Sequence, residues 1–534
     1  MNTRKFLILP TIILSMLMLS ACSSDKKPPK ESDGSGDKIN VQIIVSPESN
    51  PDDAGRPSPI RLDLYQLATD SEFKQFNYLE LTEQAKEKIG DKLIQHDQYI
   101  FYPDTVEIQS KELKDFLKKT CAQATDFSNP AELLRLLSKA LFRGQYGDKL
   151  VPIDMIVNPA FTGKVRYNGY ENLELLGKYG QDFRPLISWK YNIRASEFNP
   201  VELWLEYEKD WTCDIRLIVR NIQDGSTANF VKERVFTVED MKTALVLDDD
   251  FSSFISVSLE ARGAGHLKIG ALHQRLTRYQ FGKYVLGGGI IHNEKREEIN
   301  YFFYPGDFKP PLNIYFSGYR RAEGFEGFGM IRSFGAPFLL FQDPRIDGGA
   351  FYLGDDCLEN SVRNIIQGYL DLLGFSNKEL ILSGISMGTY GAMYYSSFFE
   401  PKAVIVSKPL TNLGLIAERG RLEAPGLFPT AFDILRHHSK GDASIDAMRA
   451  LDDRFWTPFK QADFSQTIFG LSYMKEEDYD PRAYDDLVAA LYHTGARIMV
   501  KGTSGRHNDD NDTTIIWLKN FYKMILEQDF GRKF

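Results

Sequence analysis

The chain has 534 residues, of which 43% are hydrophobic and 13% aromatic, and it carries a net charge of −9. This composition is typical of globular domains and excludes a largely disordered chain. Because an acidic chain lacks the basic surface that neutralises phosphates, no nucleic-acid partner is expected. At about 150 residues per domain, the length allows three or four domains.

The N-terminus has the pattern of a bacterial lipoprotein signal. Arg4 and Lys5 precede the apolar run Phe6–Leu19, and a small-residue cleavage site ends at Cys22. The pattern resembles signals whose cysteine becomes the lipidated first residue, so residues 1–21 are expected to be removed and the lipid to attach the chain to a membrane. It implies an outer-membrane lipoprotein on the periplasmic side or the cell surface.

A flexible tether is predicted over residues 22–38, which are rich in Ser, Gly, Pro and charge. The run NPDDAGRPSPIRLDLYQL that follows resembles TssJ, the outer-membrane lipoprotein family of type VI secretion systems, over about 39–104. Amphipathic helices are predicted around Leu113 and Leu133, where that family would continue with strands. We therefore expect a β domain with a helical extension over residues 39–150. The resemblance implies an inner-membrane secretion subunit as a partner, and the alternative is a simple spacer domain.

Strand patterns dominate residues 151–303, where alternating apolar and polar runs are separated by Asn, Asp and Gly. Such spacing predicts a β-sandwich. Trp189, Trp204 and Trp211 could form a flat platform for sugar rings, although tryptophans in strands are more often part of the core.

Strands alternate with helices over residues 304–534, which predicts a parallel sheet covered on both faces. In its middle, Gly384 and Gly388 flank Ser386 in the G-x-S-x-G pattern of a nucleophile elbow, after the strand-like run Leu380–Leu382. The alternative is an ordinary turn between a strand and a helix. We predict an α/β-hydrolase domain with Ser386 as its nucleophile.

The order serine, acid, histidine in α/β-hydrolases limits the search for the other catalytic residues. His507 lies in the loop after the last predicted strand, and the run KEEDYD follows the preceding strand. Glu477 is the predicted acid of the triad, with Asp478 as the second choice. The remaining acids of this run are expected to cap the next helix.

An oxyanion hole in this fold uses the amide after the nucleophile and an amide from a loop near the start of the domain. Met387 supplies the first of these amides, and either Gly318 or Tyr319 is predicted to supply the second. The cysteines have no metal-ligand spacing, so no metal and no cofactor are expected.

Five spaced motifs resemble the accessory Sec system protein family of the second Asp type, over about residues 164–534. The motifs are YPGDFKPPLNIYFSGYR from Tyr304, GGAFYLG from Gly348, GISMGTYG from Gly384, KPLTNLG from Lys408 and GRHND from Gly505. This family assists the export of glycosylated serine-rich-repeat adhesins in Gram-positive bacteria. The resemblance implies a carbohydrate-binding-like β-sandwich, an α/β-hydrolase domain and O-acetylation of glycan GlcNAc. It also implies a Ser-Glu/Asp-His triad at Ser386, Glu477 and His507.

Two functions remain open at this point. A lipoprotein signal implies a location outside the cytoplasm, where acetyl-CoA is not expected as the acyl donor. We therefore expect a membrane-anchored serine esterase or O-acyltransferase that acts on a glycan or glycoprotein. The alternative is a non-enzymatic component of a type VI secretion apparatus, in which the hydrolase domain is a scaffold.

Overall fold

The computed structural model describes residues 60–67, 90, 93–101, 111–122, 129–226 and 229–534. The predicted signal, the tether and Cys22 lie outside these residues, so lipidation of Cys22 stays a prediction. The chain divides into two compact units, Met1–Gly144 with Arg278–Phe281 and Gln145–Thr277 with Gly282–Phe534. None of the helices in the described part has the length and apolar character that crossing a bilayer requires.

The first unit holds two antiparallel strands and two helices among its described residues. They are β1 (Ile60–Leu67), β2 (Leu93–Phe101), α1 (Lys111–Lys119) and α2 (Pro130–Ala140). Both predicted amphipathic helices are therefore confirmed. The side chain of Asn129 accepts a hydrogen bond from the Glu132 amide at 3.2 Å and so caps the start of α2. The guanidinium of Arg278 donates to the carbonyl of Ala140 at 2.7 Å at the other end of the helix.

The second unit begins with ten antiparallel strands that form one hydrogen-bonded sheet. The strands are β3 (Gly147–Leu150), β4 (Met155–Val157), β5 (Lys164–Asn168), β6 (Asn172–Trp189), β7 (Ile193–Ala195), β8 (Val201–Lys209), β9 (Cys213–Gln223), β10 (Phe230–Thr237), β11 (Leu245–Leu247) and β12 (Ser253–Leu276). The antiparallel strands predicted for this region are thus present, although they pair as one continuous sheet.

The two longest strands, β6 and β12, change register where glycines interrupt them. Gly180 and Gly263 face each other and have φ angles of +107° and +87°. A residue with a side chain would be strained at these angles. On the N-terminal side of this break β12 pairs with β9, and on the C-terminal side it pairs with β8. The break therefore divides one sheet into two halves, and both halves contribute to a single apolar cluster.

The platform of tryptophans, the less favoured of the two alternatives, is excluded, and the expected core position is confirmed for Trp189 and Trp204. Trp189 and Trp204 are each only 5% exposed, whereas Trp211 is 92% exposed. The indole of Trp204 donates to the carbonyl of Arg296 at 2.9 Å, and the Arg296 guanidinium lies 3.6 Å from the centre of its ring. The three rings cannot form one surface for a sugar, because two of them are covered by the protein itself.

The rest of the second unit is an eight-stranded sheet in the order β13-β14-β16-β15-β17-β18-β19-β20, parallel from β16 to β20. Its strands are β13 (Gly289–His292), β14 (Glu298–Tyr304), β15 (Leu312–Phe316), β16 (Phe338–Gln342), β17 (Leu380–Ile385), β18 (Ala403–Ser407), β19 (Ile468–Met474) and β20 (Arg497–Thr503). An antiparallel start followed by parallel strands, with the third and fourth strands exchanged, is the α/β-hydrolase arrangement.

Helices cover both faces of this sheet, as the predicted α/β-hydrolase fold requires. They are α3 (Phe328–Arg332), α4 (Asp356–Leu373), α5 (Met387–Ser396), α6 (Leu413–Leu422), α7 (Ala431–His438), α8 (Ile445–Gln461), α9 (Ala483–Leu491) and α10 (Asn511–Phe530). Along β15, Ile314 and Phe316 belong to one apolar cluster and Tyr315 to another. Because alternate residues of a strand point to opposite faces, the sheet is buried on both sides.

Candidate active site

Ser386 lies at a sharp turn between β17 and α5. Its backbone angles are φ +53° and ψ −122°, in a region that residues with side chains rarely occupy. A Cβ atom on Gly384 would collide with the backbone of Gly388, and one on Gly388 would collide with the carbonyl of Phe316. The two glycines are therefore required by the close approach of strand and helix that exposes the serine.

The structure brings the three predicted triad residues together from three different loops. Oγ of Ser386 lies 2.8 Å from Nε2 of His507, and Nδ1 of His507 lies 2.9 Å from both carboxylate oxygens of Glu477. The imidazole is only 2% exposed. A tautomer that donates from Nδ1 to Glu477 leaves Nε2 ready to accept the serine proton, which is the arrangement general base catalysis needs.

The ring of Tyr479 stacks on the imidazole of His507, with 4.3 Å between ring centres and 19° between ring planes. The Tyr479 hydroxyl accepts a hydrogen bond from the Asn508 amide at 2.8 Å. Its backbone amide donates to Glu477 at 2.9 Å. Tyr479 therefore contacts both His507 and Glu477. Sequence reasoning missed this residue. Its position within the acidic run KEEDYD is the one signal that could have found it.

The carboxylates beside Glu477 hold the backbone of the histidine loop. Asp478 accepts a hydrogen bond from the amide of His507 at 3.0 Å, and Glu476 accepts one from the amide of Gly505. Asp478 therefore binds the backbone amide of His507, whereas Glu477 binds its imidazole. The prediction that the remaining acids of the run, Glu476 and Asp480, cap the next helix is wrong. Glu476 is bound to this loop, the side chain of Asp480 accepts from the amides of Thr411 and Asn412, and α9 begins without a side-chain cap.

The amides predicted for the oxyanion hole differ in their partners. The Gly318 amide donates to Oε2 of Glu326 at 2.6 Å, so it is already occupied. The amides of Met387 and Tyr319 have no hydrogen-bond acceptor among the described residues. Of the two alternatives that the sequence left open, the structure therefore leaves Tyr319 as the candidate.

Lys408 adds a buried cation near the candidate acid. Its side chain is 2% exposed, and its Nζ donates to the side chain of Asn511. Burial lowers the pKa of Lys408, whereas the negative charge of Glu477 opposes that shift. The lysine belongs to the motif KPLTNLG, but no feature of the sequence indicated that its charge would act on Glu477.

Comparisons with known proteins agree over most of the chain. The model of the accessory Sec family of the second Asp type, described as "Accessory Sec system GspB-transporter", matches residues 61–532. The accessory Sec system protein of this type from Streptococcus gordonii is 62% identical over 434 residues, which are 81% of this chain and 85% of that protein. The protein of the same name from Staphylococcus aureus (strain NCTC 8325 / PS 47) is 41% identical over 422 residues, 79% of this chain and 81% of that one.

A solved structure is similar at the level of the whole fold. The Glycosylation Associate Protein (Gap123) complex from Streptococcus agalactiae contains a chain that is 41% identical and superimposes with a TM-score of 0.77. The superposition covers 80% of this chain and 82% of that chain.

These comparisons correct the predictions for the N-terminal region. The resemblance to TssJ over residues 39–104 is not supported, because the matched family already includes the chain from residue 61. A short alternating run such as β1 is common to many β domains. The predicted outer-membrane location is wrong, because the curated relatives come from Gram-positive bacteria, which lack an outer membrane. The type VI secretion component loses its basis with that resemblance. The chain belongs to the family of accessory Sec system proteins of the second Asp type.

Proposed function

We propose that this protein is a serine esterase or O-acyltransferase of the accessory Sec system that acts on acyl groups of a glycan or glycoprotein. The observation that carries the proposal is the hydrogen-bonded series Ser386, His507 and Glu477 at a strained strand-to-helix turn. Such a series activates a serine for attack on an ester carbonyl.

In the first half of the reaction, Oγ of Ser386 attacks the carbonyl carbon of the acyl donor and its proton passes to Nε2 of His507. Glu477 stabilises the imidazolium that results. The amides of Met387 and Tyr319 are the donors for the oxyanion of the tetrahedral intermediate. When the intermediate breaks down, His507 returns its proton to the leaving group and an acyl-serine remains.

In the second half, a hydroxyl group gives its proton to Nε2 of His507 and attacks the carbonyl carbon of the acyl-serine. When this second intermediate breaks down, the bond to Oγ breaks and His507 returns the proton to Oγ of Ser386. Water as the attacking group makes the protein an esterase, and a glycan hydroxyl makes it an acyltransferase. The argument against acetyl-CoA as the donor depends on the lipoprotein signal at the N-terminus, which stays a prediction. The donor is therefore a question for experiment.

A fluorophosphonate probe tests the nucleophile directly, because it reacts with activated serines. We expect labelling of the wild type, none in Ser386→Ala, and at least about hundredfold slower labelling in His507→Ala. Ser397→Ala, at the other end of the same helix, is the matched control and should label like the wild type. Labelling of Ser386→Ala at the wild-type rate would contradict the proposal.

Turnover of an acetyl ester, with and without a GlcNAc oligosaccharide as acceptor, distinguishes the two reactions. Mass spectrometry should find an acetylated sugar if the protein transfers the group, and free acetate with unmodified sugar if it hydrolyses the ester. Neither product should form with Ser386→Ala.

We also propose that the protein works in a complex with other accessory Sec proteins. The relative from Streptococcus agalactiae was solved as a Gap123 complex, and the present chain matches 82% of its counterpart there. Co-expression with the other accessory proteins followed by size-exclusion chromatography should give one assembly. Because assembly does not need the nucleophile, Ser386→Ala should behave in the same way.

A further inference from the structure

A polar cleft of about 380 Å³ lies within the second unit, between the antiparallel sheet and the hydrolase part. Strands β5, β6, β8 and β12 form one wall, and the end of α7 with the segment around Arg345 forms the other. None of the triad residues lines it. Its volume is in the range of sites for small ligands in proteins.

Two guanidinium groups in the wall have donor nitrogens without an acceptor. Arg345 is 1% exposed, and its Nε and Nη2 donate to Asp343 at 2.9 and 2.6 Å, while Nη1 is buried and has no partner. Arg436 donates from Nη2 to Asn168 at 2.8 Å, while its Nε is buried and has no partner. Because a buried donor without an acceptor is costly, these nitrogens point to an acceptor that a ligand supplies.

The charges of the cleft lead to the same class of ligand. Its carboxylates already lie within 4 Å of a histidine or lysine: Glu206 with His273, Glu174 with His266, Glu208 with Lys268, and Glu171 and Glu297 with His437. By contrast, four lining cations have no carboxylate within that distance among the described residues: Arg166, Lys295, Arg436 and Lys440. These four side chains are the groups in the lining that an anionic ligand can pair with.

We propose that this cleft binds a small ligand that carries an oxyanion, a carboxylate or a phosphate group. The oxyanion accepts hydrogen bonds from Nη1 of Arg345 and Nε of Arg436, and Lys295 and Lys440 at the exposed mouth add longer-range attraction. Guanidinium groups suit this task because they remain charged and present planar donors to carboxylates and phosphates. The inference goes beyond the proposed catalytic function and does not rest on it.

Isothermal titration calorimetry on the full chain tests the site with inorganic phosphate, glucose 6-phosphate, glucuronate and glucose at one ionic strength. We expect saturable binding of at least one of the three anions and none of glucose. Tight binding of glucuronate alone identifies a carboxylate ligand, and tight binding of the phosphates alone identifies a phosphate ligand. A constant ionic strength matters because salt screens the exposed lysines.

Substitutions in the lining test whether the ligand binds in this cleft. Arg436→Gln should weaken binding by at least about tenfold because it removes one charged donor. Lys440→Gln, an exposed substitution that leaves the packing intact, should weaken it severalfold and carries the test if Arg436→Gln does not fold. Lys523→Gln on α10 is the matched control and should bind like the wild type. Ser386→Ala should also bind normally, which separates this site from the proposed catalysis.

Three results would overturn the proposal. The first is that no anion binds saturably, the second that glucose binds as tightly as the anions, and the third that Lys440→Gln and a folded Arg436→Gln both bind with the affinity of the wild type.

Discussion

Nε of Arg275, on the longest antiparallel strand β12, donates to Oε2 of Glu323 at 3.0 Å. Glu323 lies in the loop after β15 that also carries Tyr319, and His273 and Tyr284 bind the same carboxylate. Burial alone would raise the pKa of Glu323, but the charges of His273 and Arg275 hold it well below its usual range. One buried carboxylate therefore joins the antiparallel sheet to the loop of the candidate oxyanion donor.

Replacing Glu323 by glutamine should lower the free energy of unfolding by about 3 kcal/mol, because His273 and Arg275 each lose one buried counter-charge while Glu206 and Glu298 remain. Urea unfolding measures the change. Glu239→Gln is the control: its ion pair with Lys242 is largely exposed, so the effect should stay within about 0.5 kcal/mol. Equal effects in both variants would show that the buried pairing is not needed.

The stability of the protein should fall on the alkaline side because of His273. Burial would lower the pKa of His273, but Glu323 and Glu206 outweigh that effect and raise it from 6.5 to about 9. The stabilisation is therefore complete below pH 6.5 and is lost as the pH rises through about 9. At about 1.4 kcal/mol per pKa unit, the loss approaches about 3 kcal/mol.

Urea unfolding between pH 6 and 9.5 measures this dependence. His273→Gln should flatten the curve in that window, whereas His493→Gln, at an exposed position, should keep the wild-type curve. A wild-type curve that is already flat would exclude a charged His273.

Replacing two different glycines by alanine, one in the elbow and one in α4, should change stability in opposite directions. Gly388→Ala should lower stability by more than about 2 kcal/mol and abolish probe labelling, because the added carbon collides with the carbonyl of Phe316. Gly368→Ala, in α4, meets no atom within 4 Å and should raise stability by about 0.5 to 1 kcal/mol through helix propensity. Thermal unfolding of both variants measures the two effects. A Gly388→Ala protein that labels normally would contradict the packing argument.

The elbow turn and the proximity of Ser386, Glu477 and His507 could be predicted from the sequence because their signals are local or ordered along the chain. The glycines on either side of Ser386 are a local pattern, and the order serine, acid, histidine fixed where to search for Glu477 and His507. By contrast, packing decides which of the candidate oxyanion-hole amides already has an acceptor. No spacing of residues in the sequence could show that Glu326 accepts from the amide of Gly318.

A core position was the favoured expectation for the tryptophans, but the pattern of β8 alone could not decide between the core and an exposed platform. The first six residues of β8, including Trp204, are all buried, so the strand lacks the alternation that separates a covered face from an exposed one. Likewise, His273 and Glu323 lie 50 positions apart, and no local pattern connects residues at that distance. The N-terminal resemblance failed because a short alternating run does not distinguish one β domain from another.

Glu477 and Asp478 can be separated by their different contacts with His507. Glu477→Gln should lower kcat by on the order of 10³-fold to 10⁴-fold, because an amide can neither hold the required tautomer nor stabilise the imidazolium. Asp478→Asn keeps an acceptor for the His507 amide and should lower kcat by less than about tenfold. Probe labelling and ester turnover measure both variants against wild type, with thermal unfolding to show that each is folded. The reverse order of effects would make Asp478 the acid, since only the residue that orients the imidazole is indispensable to the proton transfer.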